Sequence, residues 1–378
     1  MRVSSSITAC VLATASFAVA APAPHPSKGK GPVGAPLPPR GPPSPPHAKR
    51  CKNPLVRKEW RALKNVEKKE YIDAVLCLQK HEAITKEQFA DDDRYDPINR
   101  YDDFQAVHSS QADAIHFVGF FTQWHRYMTA AYERTLRDVC GYKGAQPYWN
   151  WSLDAHPDDR LSMAAYDTEI FSPDTGFGGN GLYIEVPDSQ DPFGFNAQGR
   201  SGGGCVQDGP FTRPNFAVNI GEKNGSGQCL RRDFMPGIFN FFADPNTLQK
   251  TIDQPDFASF ASVLEGRPDF GVSNVHGSGH FGVGGLLGQA GDAANSPGDP
   301  LFYLHHSMVD YTYWQWQQKD LKTRLHEVGG STTPSDFNYE SGVNVTLDFE
   351  VNLGAIAPSV KVSQLLDSEG ELLCYTYE

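Results

Sequence analysis

Phe121-Thr122-Gln123-Trp124-His125-Arg126-Tyr127-Met128 and its flanks decide how this chain is read. Phe117 to Val139 reads as one long helix around that stretch. His108, His116 and His125 lie within eighteen residues of one another. His116 and His125 are nine residues apart, about 900° of helical rotation, so one continuous helix would point them to opposite sides. If both serve one metal ion, His116 sits before the helix or at its first turn and His125 inside it. His108 then arrives from a separate element, a short helix over Asp102 to Ser109.

A second group follows far downstream. His276-Gly277-Ser278-Gly279-His280 places two imidazoles at i and i+4, on one face of a short helix from His276 to Leu287. The glycines lower helix propensity but let another backbone or a ligand come close. Asp299-Pro300 reads as a helix start, Asp as N-cap and Pro at the first position. That helix carries His305, His306 and Asp310 to about Lys319. Asp310, one turn beyond His306, is expected to hydrogen-bond an imidazole and set its tautomer.

Two groups of three imidazoles, with no cysteine or carboxylate at ligand spacing, point to two adjacent metal ions. Imidazole suits copper, zinc, iron and nickel. The i,i+4 pair lacks the Glu of a His-Glu-x-x-His zinc protease. A di-iron carboxylate bundle needs inward Glu and Glu-x-x-His pairs, and none is found. All-imidazole coordination with open positions suits an ion cycling between Cu(I) and Cu(II). Two such ions roughly 3.5–4 Å apart, as in other two-metal sites, can hold O₂ between them. His25, His47, His81, His156 and His326 read as ordinary core or surface residues.

Elsewhere, Asn53 to Lys80 reads as a helix from its apolar spacing. Residues 141–235 read as long loops walling a site, with Gly202-Gly203-Gly204 as a flexible turn. Phe257 to Leu264 is a further short helix. Asp91-Asp92-Asp93 is a solvated turn. Val343, Val345, Leu347, Phe349 and Val351 alternate with polar residues as a half-buried strand, expected to pair near Cys374 to Tyr377.

Residues 1–20 have the charge, apolar run and small-residue end of a secretory signal. Residues 21–50, rich in Pro and Gly and closed by Lys49-Arg50, read as a propeptide or linker. The domain proper is 51–378. No later run is apolar enough to span a bilayer. Residues 1–50 hold six of the 33 Lys and Arg and none of the 45 Asp and Glu, so the remainder carries a formal charge of −18. Such a surface repels nucleic acid and anionic membranes and suits a small neutral or cationic substrate. Beyond Cys10, six cysteines remain, an even number that argues for disulfides in a secreted chain. They allow 15 connectivities. The expected set is Cys205–Cys229 as a loop staple, Cys77–Cys140 across helices and Cys51–Cys374 tying the ends. Asn224-Gly-Ser226 and Asn344-Val-Thr346 are glycosylation sequons.

The motifs resemble those of the type-3 copper proteins: tyrosinases, catechol oxidases and o-aminophenol oxidases. His116-x₄-Phe121-Thr122-x-Trp124-His125-Arg126-x₂-Thr129-x₃-Glu133 matches the first copper-site pattern, and Asp299-Pro300-x-Phe302-Tyr303-x₂-His306-x₃-Asp310 the second. Pro147-Tyr148-Trp149-Asn150-Trp151-Ser152 is similar to the family's Pro-Tyr-Trp-Asp-Trp-Ser, with Asn for Asp. Arg57-Lys58-Glu59-Trp60-Arg61 resembles its N-terminal helix. The likeness covers about 51–378 and is strongest to short fungal catechol-oxidase-like enzymes.

The resemblance implies a mainly α fold, a four-helix bundle housing a dicopper centre, with long loops and a small β-sheet. It implies His108, His116 and His125 on one copper and His276, His280 and His306 on the other. Spacing does not separate His305 from His306; the family pattern assigns His306 and leaves His305 as a packing neighbour. Tyr375-Thr376-Tyr377 is similar to the Tyr-x-Tyr that ends the catalytic core in members with a C-terminal lid, and implies a core without that lid. Arg57 is expected to stack on one of these tyrosines. Glu265 resembles the acid that holds a water near the second copper, with surface capping as its alternative role. In hydroxylating members an Asn follows the first histidine of the second site; here it is Gly277. Phe281 is expected at the substrate entrance or in the core, and the small residues Gly291 to Asn295 imply an open mouth. Ala114 stands where some members carry a thioether cysteine. The implied function is oxidation of o-diphenols and o-aminophenols to quinones by O₂, with weak or absent monophenol hydroxylation, in a monomer or weak oligomer. The alternatives are a tyrosinase with full monophenol hydroxylation, a dicopper oxygen carrier and a zinc hydrolase.

Overall fold

A computed structural model describes residues 50–92, 94–191, 193–220, 227–266, 274–338 and 340–378. The signal and linker readings, apart from Arg50, and Asn224-Gly-Ser226 lie outside the described residues, as does Asp93 of the acidic turn.

The chain enters through a short strand β1 (Leu55–Arg57), followed by α1 (Asn65–Leu78). The single helix expected over Asn53 to Lys80 is therefore split. Pro54 supplies no N–H, and Leu55 to Arg57 find their backbone partners in another strand. Helix α2 spans Arg100–Ile115, twice the expected length, because Asn99 caps it well. The Asn99 side chain accepts from the N–H of Tyr101 and Asp102 while Asp102 accepts from Asn99 N–H, a reciprocal box. Helix α3 (Phe121–Cys140) ends at Gly141, whose φ of +69° is cheap only for glycine. Strands β2 (Gly181–Tyr183) and β3 (Gly203–Val206) pair antiparallel, so Gly203 and Gly204 lie in a strand, not the flexible turn expected. A Cβ at Gly204 would stand 2.9 Å from the Leu182 carbonyl oxygen; the glycine is there for close approach.

Helices α4 (Pro236–Phe242), α5 (Pro245–Ile252) and α6 (Phe257–Glu265) precede α7 (Val275–Gly284) and the long α8 (Leu301–Gln318), and α9 (Leu321–Arg324) is one further turn. Asp299 accepts the Leu301 N–H at 3.0 Å, so the expected start of α8 holds to within one residue. The half-buried strand expected over Val343 to Val351 shrinks to β4 (Glu350–Val351), paired with β5 (Val360–Lys361). Its expected partner goes elsewhere: β6 (Tyr375–Tyr377) runs parallel to β1, with Arg57 opposite Tyr377. The fold is mainly helical, with three two-stranded ribbons among the described residues in place of one sheet.

All three expected disulfides are present, Cys51–Cys374, Cys77–Cys140 and Cys205–Cys229. The first joins residues 323 apart and closes the loop with the largest chain entropy. Trp60, Trp124, Trp149, Trp151 and Trp316 are fully buried, and the Tyr132 and Tyr303 rings stack 3.4 Å apart between α3 and α8.

β1, β6, α3 and α8 meet in a buried ionic network. Arg57 Nε donates to Glu133 at 2.8 Å and its Nη1 to Asp310 at 3.2 Å. Its guanidinium lies 3.4 Å over the Tyr375 ring, the expected stack. Arg126 donates to Asp310 at 2.5 Å and to the carbonyls of Leu365 and Leu366. Tyr375 and Tyr377 hydroxyls donate to the same carboxylate. Asp310 therefore holds arginines and tyrosines, not an imidazole as expected, because Arg126 of α3 and Arg57, Tyr375 and Tyr377 of the β1–β6 ribbon face it. Burial pushes its carboxyl up, but Arg126 and Arg57 outweigh that and hold it below the usual carboxylate range.

Breaking a buried pair by removing one partner strands the other charge. Arg57→Met is expected to cost about 3–5 kcal/mol of unfolding free energy, read by urea denaturation at neutral pH. Since native Asp310 ionises below the unfolded value of about 3.9, its contribution is complete above that pH and is lost as pH falls through the native value. Urea midpoints should decline on that acid limb, less steeply in an Asp310→Asn variant.

Candidate metal centre

Four helices bring the histidines together. His108 sits inside α2, and His116 is the residue that ends it. His125 lies in the second turn of α3. The expectation that His116 precedes the long helix is met, but α2 reaches it, so His108 and His116 share one element and its cap. His276 and His280 lie on α7, and His305 and His306 on α8. His108, His116 and His125 each offer a ring nitrogen within 4.8 Å of the others, and so do His276, His280, His305 and His306. The groups face one another: His125 and His306 stack with centroids 4.4 Å apart, and His116 and His276 at 6.4 Å.

Backbone carbonyls orient the rings. His108 Nδ1 lies 2.9 Å from Ala294 O, His116 Nδ1 2.8 Å from Ala112 O, His125 Nδ1 2.9 Å from Phe121 O and His280 Nδ1 2.8 Å from Ala290 O. A carbonyl can only accept, so each Nδ1 carries the proton and each Nε2 presents a lone pair. The Nε2 atoms of His108, His125 and His276 are buried without a partner, as are Nδ1 of His306 and both ring nitrogens of His305. Orphaned polar atoms of this kind are costly and rare in native proteins. His280 Nε2 and His306 Nε2 stand 3.1 Å apart; one ion bound by both, at imidazole–metal distances of about 2.0–2.1 Å, needs them about that close.

Burial, then the neighbouring imidazoles, pulls His108, His125, His276, His305 and His306 well below the ordinary imidazole value. Burial alone lowers His116, and burial with the neighbouring His116 ring takes His280 down to about 3, against their carbonyl bonds. Seven neutral imidazoles are the protonation state a metal requires. Phe121 and Phe302 pack against His125 and His306 and dry the interior, while His116 remains partly exposed.

The carbonyls of Ala290 and Ala294 were not foreseen; every residue has one, so no side-chain pattern marks them. The small residues expected to open the mouth also allow tight packing: a Cβ at Gly284 would lie 1.8 Å from Gly291 N. Phe281 is half-buried against Phe195, Met235, Ile238 and Phe242. His305 packs directly on the second group: its ring stacks 5.5 Å from His276, over Gly279, where a Cβ would collide with Nδ1. Glu265 is 4% exposed, which excludes surface capping. It accepts the Phe117 N–H at 2.6 Å, and Phe117, directly after His116, has a φ of +54°, costly for a non-glycine residue. Burial raises the Glu265 carboxyl well above its ordinary value, against that hydrogen bond.

Paired sets of neutral, converging imidazoles within a helical bundle define a dinuclear metal protein. The common central domain of tyrosinase matches residues 98–319. A tyrosinase-like protein of Diaporthe leptostromiformis is 34% identical over 345 residues, covering 87% of this chain and 78% of the relative. N-acetyl-6-hydroxytryptophan oxidase of Emericella nidulans is 31% identical over 358 residues, covering 87% and 93%. The solved structure of a variant polyphenol oxidase from Thermothelomyces thermophila aligns with a TM-score of 0.71 at 29% identity, covering 86% of this chain and 88% of that one. The chain belongs to the tyrosinase family. Its metal centre is accordingly a binuclear copper site, and the unpartnered nitrogens fit that group.

Glu265→Gln keeps an acceptor for Phe117 N–H and should leave stability nearly unchanged. Glu265→Ala strands that N–H and should cost about 1–3 kcal/mol, measured by chemical denaturation of the metal-free protein.

Proposed function

We propose that this protein is a secreted copper oxidase that converts o-diphenols, and o-aminophenols, to quinonoid products with O₂, with weak monophenol hydroxylation. His108, His116 and His125 hold one ion and His276, His280 and His306 the other. The observation that carries the reading is the set of lone pairs converging from both groups with no protein partner. Bound there, the copper pair supplies the two-electron exchange with O₂ that no side chain provides.

The chain's own part is geometric. The carbonyls of Ala112, Phe121, Ala290 and Ala294 hold four imidazoles in one tautomer and orientation. Phe121 and Phe302 exclude water from the interior. The edge at His116, which is partly exposed while His276 and His280 are buried, is where a flat ring enters. The strongly acidic surface favours a neutral phenol over an anion. Glu265, whose neutral form burial favours, is assigned to hold a water or hydroxyl beside the second ion, its other oxygen fixing Phe117. Secretion is supported by three disulfides and by the character of residues 1–20; 21–50 is read as a removable leader and 51–378 as the catalytic domain. No described helix is long and apolar enough to cross a membrane.

Copper-loaded protein should consume O₂ rapidly with catechol and o-aminophenol and slowly with tyrosine, and should hold two coppers per chain. Equal rates on tyrosine would favour the full tyrosinase reading, and reversible O₂ binding without turnover a carrier. Elemental analysis should find about one copper lost in His306→Ala and both kept in His305→Ala; the reverse would exchange the two roles.

A further inference from the structure

Position 277 carries no side chain, yet the space beside it holds an amide. Asn274 precedes α7 and is 4% exposed. Its Oδ1 accepts the Gly277 N–H at 2.6 Å, capping the helix that presents His276. Two glycines make its room. A Cβ added at Gly277 would lie 2.8 Å from Asn274 Nδ2, and one added at Gly266, directly after Glu265, 2.7 Å from the same atom. The amide is thus wedged between the residue that follows Glu265 and the residue that follows His276. Its Nδ2 makes no hydrogen bond to a described residue and is not among the fully enclosed unpartnered atoms. A nearly buried donor without an acceptor is costly unless a ligand or water completes it.

We propose that Asn274 is a substrate-positioning and specificity residue: its Nδ2–H donates to a ring hydroxyl of the bound o-diphenol, between Glu265 and His276. The amide that the sequence lacks at 277 is delivered into the same space from three residues earlier. Both glycines are requirements of that arrangement, since a side chain at either would displace the amide. The assignment rests on the oxidase reading above and names a residue that fixes substrate orientation within it. A site built to hydrogen-bond a hydroxyl discriminates strongly against ligands that lack it.

The test uses Asn274→Asp in the copper-loaded full chain. Asp caps a helix as well as Asn, so the helix start is kept while the N–H donor is removed and a charge is set against the hydroxyl oxygen. Copper content and Tm should match the parent. KM for catechol should rise at least ~10-fold with kcat within about twofold, as expected when a binding contact is lost. The anaerobic affinity for 4-nitrocatechol, read from its absorbance, should fall by a similar factor. Should Asn274→Asp fail to fold, Gly277→Ala displaces the same amide and should reproduce the rise in KM. Unchanged KM and 4-nitrocatechol affinity in a folded, copper-replete variant would overturn the assignment and leave the oxidase reading intact. A parent chain that does not oxidise catechol would overturn the oxidase reading, and this role with it.

Discussion

The clamp between Arg126 and Asp310 is the constraint on which the site depends. Arg126 follows His125 on α3, and Asp310 lies one turn past His306 on α8. Their ion pair is buried and has Arg57, Tyr375 and Tyr377 around it. It ties the two longest helices together beside the place where the His125 and His306 rings stack. In a low-dielectric interior such a pair is tolerable only when further hydrogen bonds meet the remaining donors and acceptors. Here the Leu365 and Leu366 carbonyls and Gln317 take Arg126, and Glu133 takes Arg57 Nε; Arg57 Nη2 has no hydrogen-bond partner, and its guanidinium lies over the Tyr375 ring. The polar network thus sits behind the histidines and leaves their own surroundings apolar.

That separation explains the electrostatics of the centre. Burial, with the mutual repulsion of neighbouring rings, keeps seven imidazoles neutral, and no described carboxylate is hydrogen-bonded to them to reverse it. Backbone carbonyls do the orienting instead. They are neutral acceptors, so they choose a tautomer without stabilising the imidazolium as a carboxylate would. The unpartnered nitrogens that result would be a liability in a protein without metal; a binuclear copper site gives them partners.

Much of the fold and of the site was legible in the sequence because it depends on local spacing. The break between His116 and His125 follows from helical rotation, the α7 pair from i,i+4 geometry and the start of α8 from Asp299-Pro300. The disulfides were not fixed by the sequence, since six cysteines allow 15 connectivities; the expected set is one of these, and the folded chain is what pairs them so. Where local reading failed, a distant partner had won. Leu55 to Arg57 left the expected helix to pair with Tyr375 to Tyr377. Val343 to Val351 alternates like a strand but pairs along only part of its length. Asp310 stands one turn from His306, yet the two arginines facing it decided its bonds.

The sequence by itself pointed to the donor type: six imidazoles in two groups, with no thiolate or carboxylate at ligand spacing, which suits copper, zinc, iron and nickel. Side-chain type and helical period are local properties, readable from one chain. Only the tertiary structure decided which atoms orient the rings, that Glu265 is buried against the backbone after His116, that His305 joins the second group, and that Asn274 fills the space beside Gly277. Each of these depends on contacts between segments tens to hundreds of residues apart, or on chain atoms that every residue shares, and neither leaves a mark in the order of side chains.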